Sequence, residues 1–239
     1  MTGCSWDKRI ARAAELEQSH PPAAELLRFY RQIAEFQRSV AQASPPVSLP
    51  DYIKPLLTLL ARAAPGALAQ AAEALLRTPD LWKNLLESPA IPSEIFLSRI
   101  LLQPQQETLA SRSAVARASV QPICPFCGEN PVVAILRPEG EGAKRSLLCN
   151  LCFTVWDFRR LLCPHCGEED HGKLAIYTAE EFPHIRLEAC DTCRGYIKSV
   201  DLTRNGLAVA EVDELASVPL DLWAAENGYT KLQPNLFGM

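Results

Sequence analysis

No stretch of this 239-residue chain is apolar enough for long enough to suggest a membrane span. The richest run, Leu56 to Leu76, is broken by Arg62, Pro65 and Gly66, whereas a span needs roughly 20 mostly apolar residues. Met1 to Glu17 is charged and lacks the apolar segment of a signal peptide. A cytoplasmic address is therefore expected, where thiols stay reduced and paired cysteines more often bind metal than form disulfides. Excess positive charge is missing too. The formal charge is −4, and residues 121–200 hold 9 Lys/Arg against 11 Asp/Glu. That gives no general attraction for phosphate backbones or anionic lipid. Also absent are a GxSxG elbow, a P-loop, a Rossmann glycine pattern and a His-rich metal site with an open position. No residue is thus a candidate for catalysis.

What is present divides near Val120. Before it lie Ala, Leu, Glu, Gln and Arg, which are strong helix formers, with prolines between the runs. The pattern predicts helices over Trp6–Gln18, Ala23–Ala41, Asp51–Ala64, Gly66–Arg77, Asp80–Glu87, Ser93–Leu102 and Gln105–Ala118. Ala23–Ala41 has the clearest apolar stripe, with Gln37 as its polar exception. Short striped helices must pack on one another, so residues 1–120 read as an irregular helical bundle. After Val120, strands are expected at Pro131–Arg137, Ser146–Leu148, Val155–Leu162, Leu174–Thr178, Ile185–Ala189 and Tyr196–Asp201. Val212–Asn227 reads as helical, with Pro219 interrupting it or starting a second helix.

An internal repeat organises this second region. Cys124-Pro125-Phe126-Cys127-Gly128-Glu129 recurs 39 residues later as Cys163-Pro164-His165-Cys166-Gly167-Glu168. Each copy is followed by a plainer CxxC: Cys149 and Cys152 after the first, Cys190 and Cys193 after the second. A CxxC turn lets two sulfurs reach one metal from the same tight loop, and the following Gly can take the left-handed conformation such a turn needs. Two turns supply four thiolates in a tetrahedron, a donor set for Zn²⁺ or a single iron and not for Mg²⁺ or Ca²⁺. A complete Cys₄ shell leaves no position for water or substrate, which points to a structural or electron-carrying role.

The expected ligands are thus Cys124, Cys127, Cys149 and Cys152 for one ion, and Cys163, Cys166, Cys190 and Cys193 for another. Sequential pairing makes each repeat copy a complete unit; cross-braced pairing would mix the copies. Cys4 stands alone as a bystander. His165 faces solvent or tunes a sulfur, His171 and His184 read as surface or loop residues, and His20 as packing at a helix junction. Trp156 and Phe158 lie between the two units and are expected to fill the core there.

The motif order CPFCG, LLCNLC before Trp156, CPHCG and EACDTCRGYIK resembles the FdhE family of formate dehydrogenase accessory proteins. The resemblance extends to the HPPAAELLRFYRQIAEFQ segment and to the tail DELASVPLDLWAAENGY. It implies an α+β protein: an N-terminal irregular helical bundle, two tandem rubredoxin-like or zinc-ribbon-like modules, and a C-terminal helix. The corresponding boundaries are 1–120, 121–160, 161–202 and 203–239. It further implies a non-enzymatic cytoplasmic maturation factor for respiratory formate dehydrogenase that contacts its catalytic subunit. Of the two possible metals, it favours iron; the cysteines alone allow zinc equally. Competing readings are an electron-transfer or redox-sensing rubredoxin-like protein and a zinc-ribbon nucleic-acid binder. The acidic balance of the cysteine region argues against the latter.

Overall fold

The structure is a computed structural model that describes residues 5–43, 48–82, 89, 91–114 and 120–239. Its first part is helical: α1 (Trp6–Ser19), α2 (Ala24–Ala41), α3 (Leu49–Ala63), α4 (Gly66–Arg77) and α5 (Pro92–Arg112). The expected Asp80–Glu87 helix is described only to residue 82, where a short 3-10 turn spans Pro79–Leu81. The rest of that segment, Cys4 and the end of the expected Gln105–Ala118 helix lie outside the described residues. The apolar stripe of α2 supplies Phe29 and Ile33 to a core shared with Leu56, Leu57 and Leu60 of α3 and Leu97, Ile100 and Leu101 of α5. Each such buried side chain contributes about 1.5–3 kcal/mol of burial free energy.

One helix replaces the two expected around Pro104. α5 runs through it without a break. A proline there leaves the Ile100 carbonyl without its amide donor four residues on. The buried Gln37 side chain donates to that oxygen instead, Nε2 to O at 3.1 Å. The polar exception in the α2 stripe is thus the compensation for Pro104. The same amide nitrogen lies 2.8 Å from Gln103 Oε1, and Gln103 Nε2 donates to the Asn150 carbonyl at 3.0 Å. This buried relay ties α2 and α5 to the turn between Cys149 and Cys152.

The second part is a seven-stranded sheet: β1 (Pro131–Glu139), β2 (Gly142–Cys149), β3 (Val155–Asp157), β4 (Leu174–Thr178), β5 (Ile185–Cys190), β6 (Gly195–Asp201) and β7 (Thr230–Lys231). The strand order is β3-β2-β1-β6-β5-β4. β1 and β6 run parallel, with Ala134 opposite Ser199 and Leu136 opposite Asp201. The strands of the two repeat copies therefore join in one sheet. β7 pairs in parallel with the start of β6, at Gly195 and Tyr196, where β1 does not reach. The strand expected over Val155–Leu162 stops at Asp157. Beyond it the Arg145 guanidinium donates to the carbonyls of Arg159 and Leu162, at 3.0 and 3.3 Å, and holds them in a loop.

Two helices, α6 (Ala210–Ala216) and α7 (Val218–Glu226), follow the sheet, with Pro219 in the first turn of the second. One sheet face packs beneath them, burying Ile185, Leu187, Val200 and Ala224. Buried ion pairs anchor this end of the chain. Lys198 meets Glu214 at 2.9 Å and Asp221 at 2.6 Å, and Lys231 also pairs with Glu214. Burial works to raise the Glu214 carboxyl, but the Lys198 and Lys231 ammonium groups outweigh it and hold it down at about 2. The N-terminal helix is tied in likewise: Arg9 pairs with Glu107 and Glu211, and Arg12 with Asp213. The last residues return to the helical core, where Phe237 packs against Phe29, Tyr30 and Phe96. All these contacts bind helices and sheet into one mixed α and β architecture.

Candidate metal centres

The eight expected cysteines come together in two sets. Cys124, Cys127, Cys149 and Cys152 form one; Cys163, Cys166, Cys190 and Cys193 form the other. Within each set all sulfurs lie within 4.8 Å of one another, and either set could hold a metal ion. This is the sequential arrangement, with each repeat copy making its own site. In the first set Cys127 Sγ lies 3.4 Å from Cys149 Sγ and 3.5 Å from Cys152 Sγ. In the second, Cys163 and Cys193 are 3.8 Å apart and Cys166 and Cys190 are 3.6 Å apart. A tetrahedron of sulfurs about 2.3 Å from a central ion has edges of about 3.8 Å. The donor geometry therefore fits a four-coordinate thiolate site.

The local backbone explains the sulfur positions. In the first copy the Gly128 amide donates to the Cys124 carbonyl at 3.0 Å, and the Cys124 amide donates to the Glu129 carbonyl at 2.8 Å. The second copy repeats this with Gly167 to Cys163 at 3.1 Å and Cys163 to Glu168 at 2.9 Å. Gly128 and Gly167 take φ of 80° and 77°, which is why glycine follows each CPxC. The amides of Phe126, Leu151 and His165 point at the sulfurs of Cys124, Cys149 and Cys163, each at 3.4 Å, and offset thiolate charge.

The plainer knuckles hold a feature that residue types alone did not reveal. Phe153 and Arg194, each directly after its CxxC, also adopt the left-handed conformation, with φ of 52° and 57°. Such a conformation costs a side-chain-bearing residue on the order of 1 kcal/mol or more, and surrounding contacts must hold it. Phe153 is buried with the Arg9 guanidinium 4.2 Å above its ring, and Trp6 meets it edge-on. Arg194 lies 3.9 Å over the Tyr229 ring and donates to Asp191 Oδ1 and to the carbonyls of Asn227 and Gly228. The signal was present in the repeat: both positions align with the glycines of the first knuckles.

Packed this closely, the sulfurs of each set shift one another's protonation. Cys124 is driven far below the ordinary thiol range by hydrogen bonds from Cys127, Cys149 and Cys152. Cys127 and Cys149 are driven far above it because they share protons with Cys124. In the second set, burial raises Cys163 and pushes Cys193 up to about 12. A bound divalent or trivalent cation would hold all four as thiolates. The fit is to a soft, tetrahedral ion.

No histidine is a member of either set, although the His165 ring lies beside Cys193 Sγ where both approach Gly195. His165 and His171 are exposed. His184, expected at a surface or loop position, lies in the turn before β5 and is buried, with Nε2 2.8 Å from Asp213 Oδ1; the Asp213 carboxylate bridges it to Arg12. His20 stacks on Phe182 at the α1–α2 junction, in the packing role expected. Trp156 and Phe158 share a core with Cys124, Cys149, Cys152 and Ile197, and Trp156 Nε1 donates to the Gln121 carbonyl at 2.8 Å.

The fold and these sites define a class: a helical bundle fused to a sheet that carries two closed four-cysteine centres. The family models for the FdhE central domain and the FdhE C-terminal domain match residues 123–160 and 161–237. A protein FdhE homolog of Haemophilus influenzae is 27% identical over 97% of this chain and 88% of its own length. FdhE homologs of Aquifex aeolicus and Pseudomonas aeruginosa are 39% and 38% identical over 48% and 52% of this chain. Those two matches span 41% of each relative's length, less than half. The crystal structure of the FdhE protein from Pseudomonas aeruginosa superposes with a TM-score of 0.77 at 26% identity, covering 98% of this chain and 96% of that one. Residues 123–237 thus match the FdhE family models, and the whole chain is similar to FdhE proteins in sequence and fold. Among the described residues, no helix is long and apolar enough to cross a membrane.

Proposed function

We propose that this protein is a non-enzymatic accessory factor for the maturation of respiratory formate dehydrogenase, acting in the cytoplasm through binding to the catalytic subunit. The observation that carries the reading is the pair of closed four-cysteine sets, neither joined by a histidine or carboxylate among the described residues. A filled Cys₄ shell has no coordination position for water or substrate. Its chemistry is to stiffen a fold or to change oxidation state. The likeness to FdhE proteins supports formate dehydrogenase as the enzyme it serves. Cys124, Cys127, Cys149 and Cys152 are assigned to one ion, and Cys163, Cys166, Cys190 and Cys193 to a second, with iron favoured and zinc the alternative. Residues 1–120, 121–160, 161–202 and 203–239 are proposed as its units.

The test has two parts. A deletion strain should lose respiratory formate dehydrogenase activity and regain it with this chain. The purified protein should retain the purified catalytic subunit on an affinity column. Normal activity in the deletion strain together with no retention would overturn the proposal. Metal analysis of protein purified without added metal should give two ions per chain, red if iron and colourless if zinc.

A further inference from the structure

We propose that the outer edge of β4, beside the second four-cysteine site, is the surface that docks the formate dehydrogenase catalytic subunit, by accepting an extended segment of it as an additional strand. The proposal rests on the maturation reading above for the partner's identity, and on the following geometry for the surface.

β4 ends the sheet order, and among the described residues no strand pairs with its outer side. The register shows which of its groups are free. Leu174 lies opposite Cys190 and Ala175 opposite Ala189. The Asp191 amide donates to the Lys173 carbonyl at 2.8 Å, so the hydrogen-bonded pairs are those of residues 173, 175 and 177. The amides and carbonyls of Leu174, Ile176 and Thr178 consequently point away from β5; the Leu174 amide donates to the His171 carbonyl, which leaves the Leu174 carbonyl and both groups of Ile176 and Thr178 for an added strand. Edge strands are normally blunted by charge, proline or a bulge, because an unblunted edge pairs with other chains. The sequence Leu-Ala-Ile-Tyr-Thr of β4 contains no charge and no proline.

Both faces beside this edge are apolar and open. On one, Ile176 is 55% exposed and Leu161 is 58% exposed, and both line a cleft that reaches Cys163 and His165. On the other, Tyr177 packs against the partly exposed Trp223, ring centroids 4.6 Å apart. A strand added alongside β4 would send alternate side chains to these two faces. The cleft also states the partner's charge. Its lining includes Arg145, Arg160 and Arg186 against one carboxylate, Glu188. Arg145 pairs with Glu188 at 2.6 Å and Arg186 with Asp201 at 2.5 Å. The exposed Arg160 reaches only the Ala143 carbonyl among described groups, at 3.4 Å. The occupant is therefore an extended apolar segment carrying an acidic side chain.

The experiment measures binding of the full-length chain to the purified catalytic subunit, for wild type, Ile176→Pro, Ile176→Lys and Arg160→Glu. Proline at 176 removes only an outward amide and leaves the ladder to β5 intact. Metal content and circular dichroism check each fold. The expected result is loss of affinity of about tenfold or more for the two Ile176 variants, and a several-fold loss for Arg160→Glu that shrinks with added salt. If the wild type binds and all three folded variants bind within about twofold of it, the docking surface is overturned while the maturation reading stands. If the wild type fails to bind the catalytic subunit, the docking surface is overturned, and the activity of the deletion strain then decides the maturation reading. If sedimentation shows a dimer of this chain that Ile176→Pro dissolves, with binding to the catalytic subunit unchanged, the edge belongs to a second copy and the proposal fails.

Discussion

The two four-cysteine sites grow from one repeated sequence unit and occupy opposite situations. The first is inside: Cys124, Cys149 and Cys152 are buried and Cys127 is half-buried. α5 reaches it through Gln103 and Ala110, and α1 through Trp6 and Arg9 stacked on Phe153. The second is outside: Cys166 is exposed and Cys193 half-buried. It is held from the other end of the chain, by Arg194 on Asn227 and Gly228 and by Tyr229 on Asp191. A duplicated metal turn thus serves two ends. Set under a helical bundle it becomes part of the shared core; set at the rim it is available to solvent and to a partner.

The largest expected effect breaks this comparison directly. Cys149→Ser removes a ligand from the inner site, where metal binding energy is folding energy, on the order of 10 kcal/mol for structural zinc. It should lose one ion and lower the melting temperature sharply. Cys166→Ser should also lose one ion, yet shift melting far less, because the exposed rim carries less of the core. Calorimetry with metal analysis reads both. Equal melting shifts would show that exposure does not separate the two sites. A chelator added to wild type should likewise remove one ion well before the other.

How much of this was legible beforehand follows from what each feature depends on. The grouping of eight cysteines into two sequential sets was readable because CxxC spacing and the repeat are local. The helices of residues 6–41 were readable because their period is local too. The unbroken α5 was not, since Pro104 breaks a helix unless a side chain from elsewhere takes the freed carbonyl, and Gln37 lies 63 positions away in another helix. The same holds for the early end of β3, which depends on Arg145, and for His184, drawn inside by Asp213. Nor does any pattern announce that β1 and β6 pair in parallel to fuse two repeat copies into one sheet.

A smaller effect tests the tie between bundle and inner site. Arg9 is fully buried, pairs with Glu107 and Glu211, and stacks against Phe153. Arg9→Met keeps much of the volume but strands the buried Glu211 carboxylate and the partly buried Glu107 carboxylate, which costs about 3–5 kcal/mol. Burial already holds the Glu107 carboxyl above its usual range against the pull of Arg9. Without Arg9 it rises further. A carboxyl raised in the folded state destabilises above its folded pKa and ceases to do so as pH falls through it. The deficit of Arg9→Met relative to wild type should therefore shrink between pH 7 and pH 5. Urea melts at both values measure it, and a deficit that grows on acidification would refute the assignment.

The smallest effect sharpens the comparison at a single backbone position. Phe153 and Arg194 are equivalent in the repeat and share a left-handed conformation. Glycine at either position relieves backbone strain of about 1 kcal/mol. At Phe153 that gain is outweighed, because the ring is buried among Trp6 and Arg9 and deletion of a core aromatic costs about 3–5 kcal/mol. Phe153→Gly should therefore be destabilising by a few kcal/mol. At Arg194 the side chain is exposed and its contacts with Asp191, Asn227 and Tyr229 lie in solvent-screened surroundings. Exposed ion pairs and stacking contribute about 1 kcal/mol or less, so strain relief nearly cancels their loss. Arg194→Gly should fall within about 1 kcal/mol of wild type. The same substitution at matched positions then separates what the metal turn itself requires from what its surroundings add. Both turns require only the left-handed backbone; the inner one alone converts the residue placed there into core.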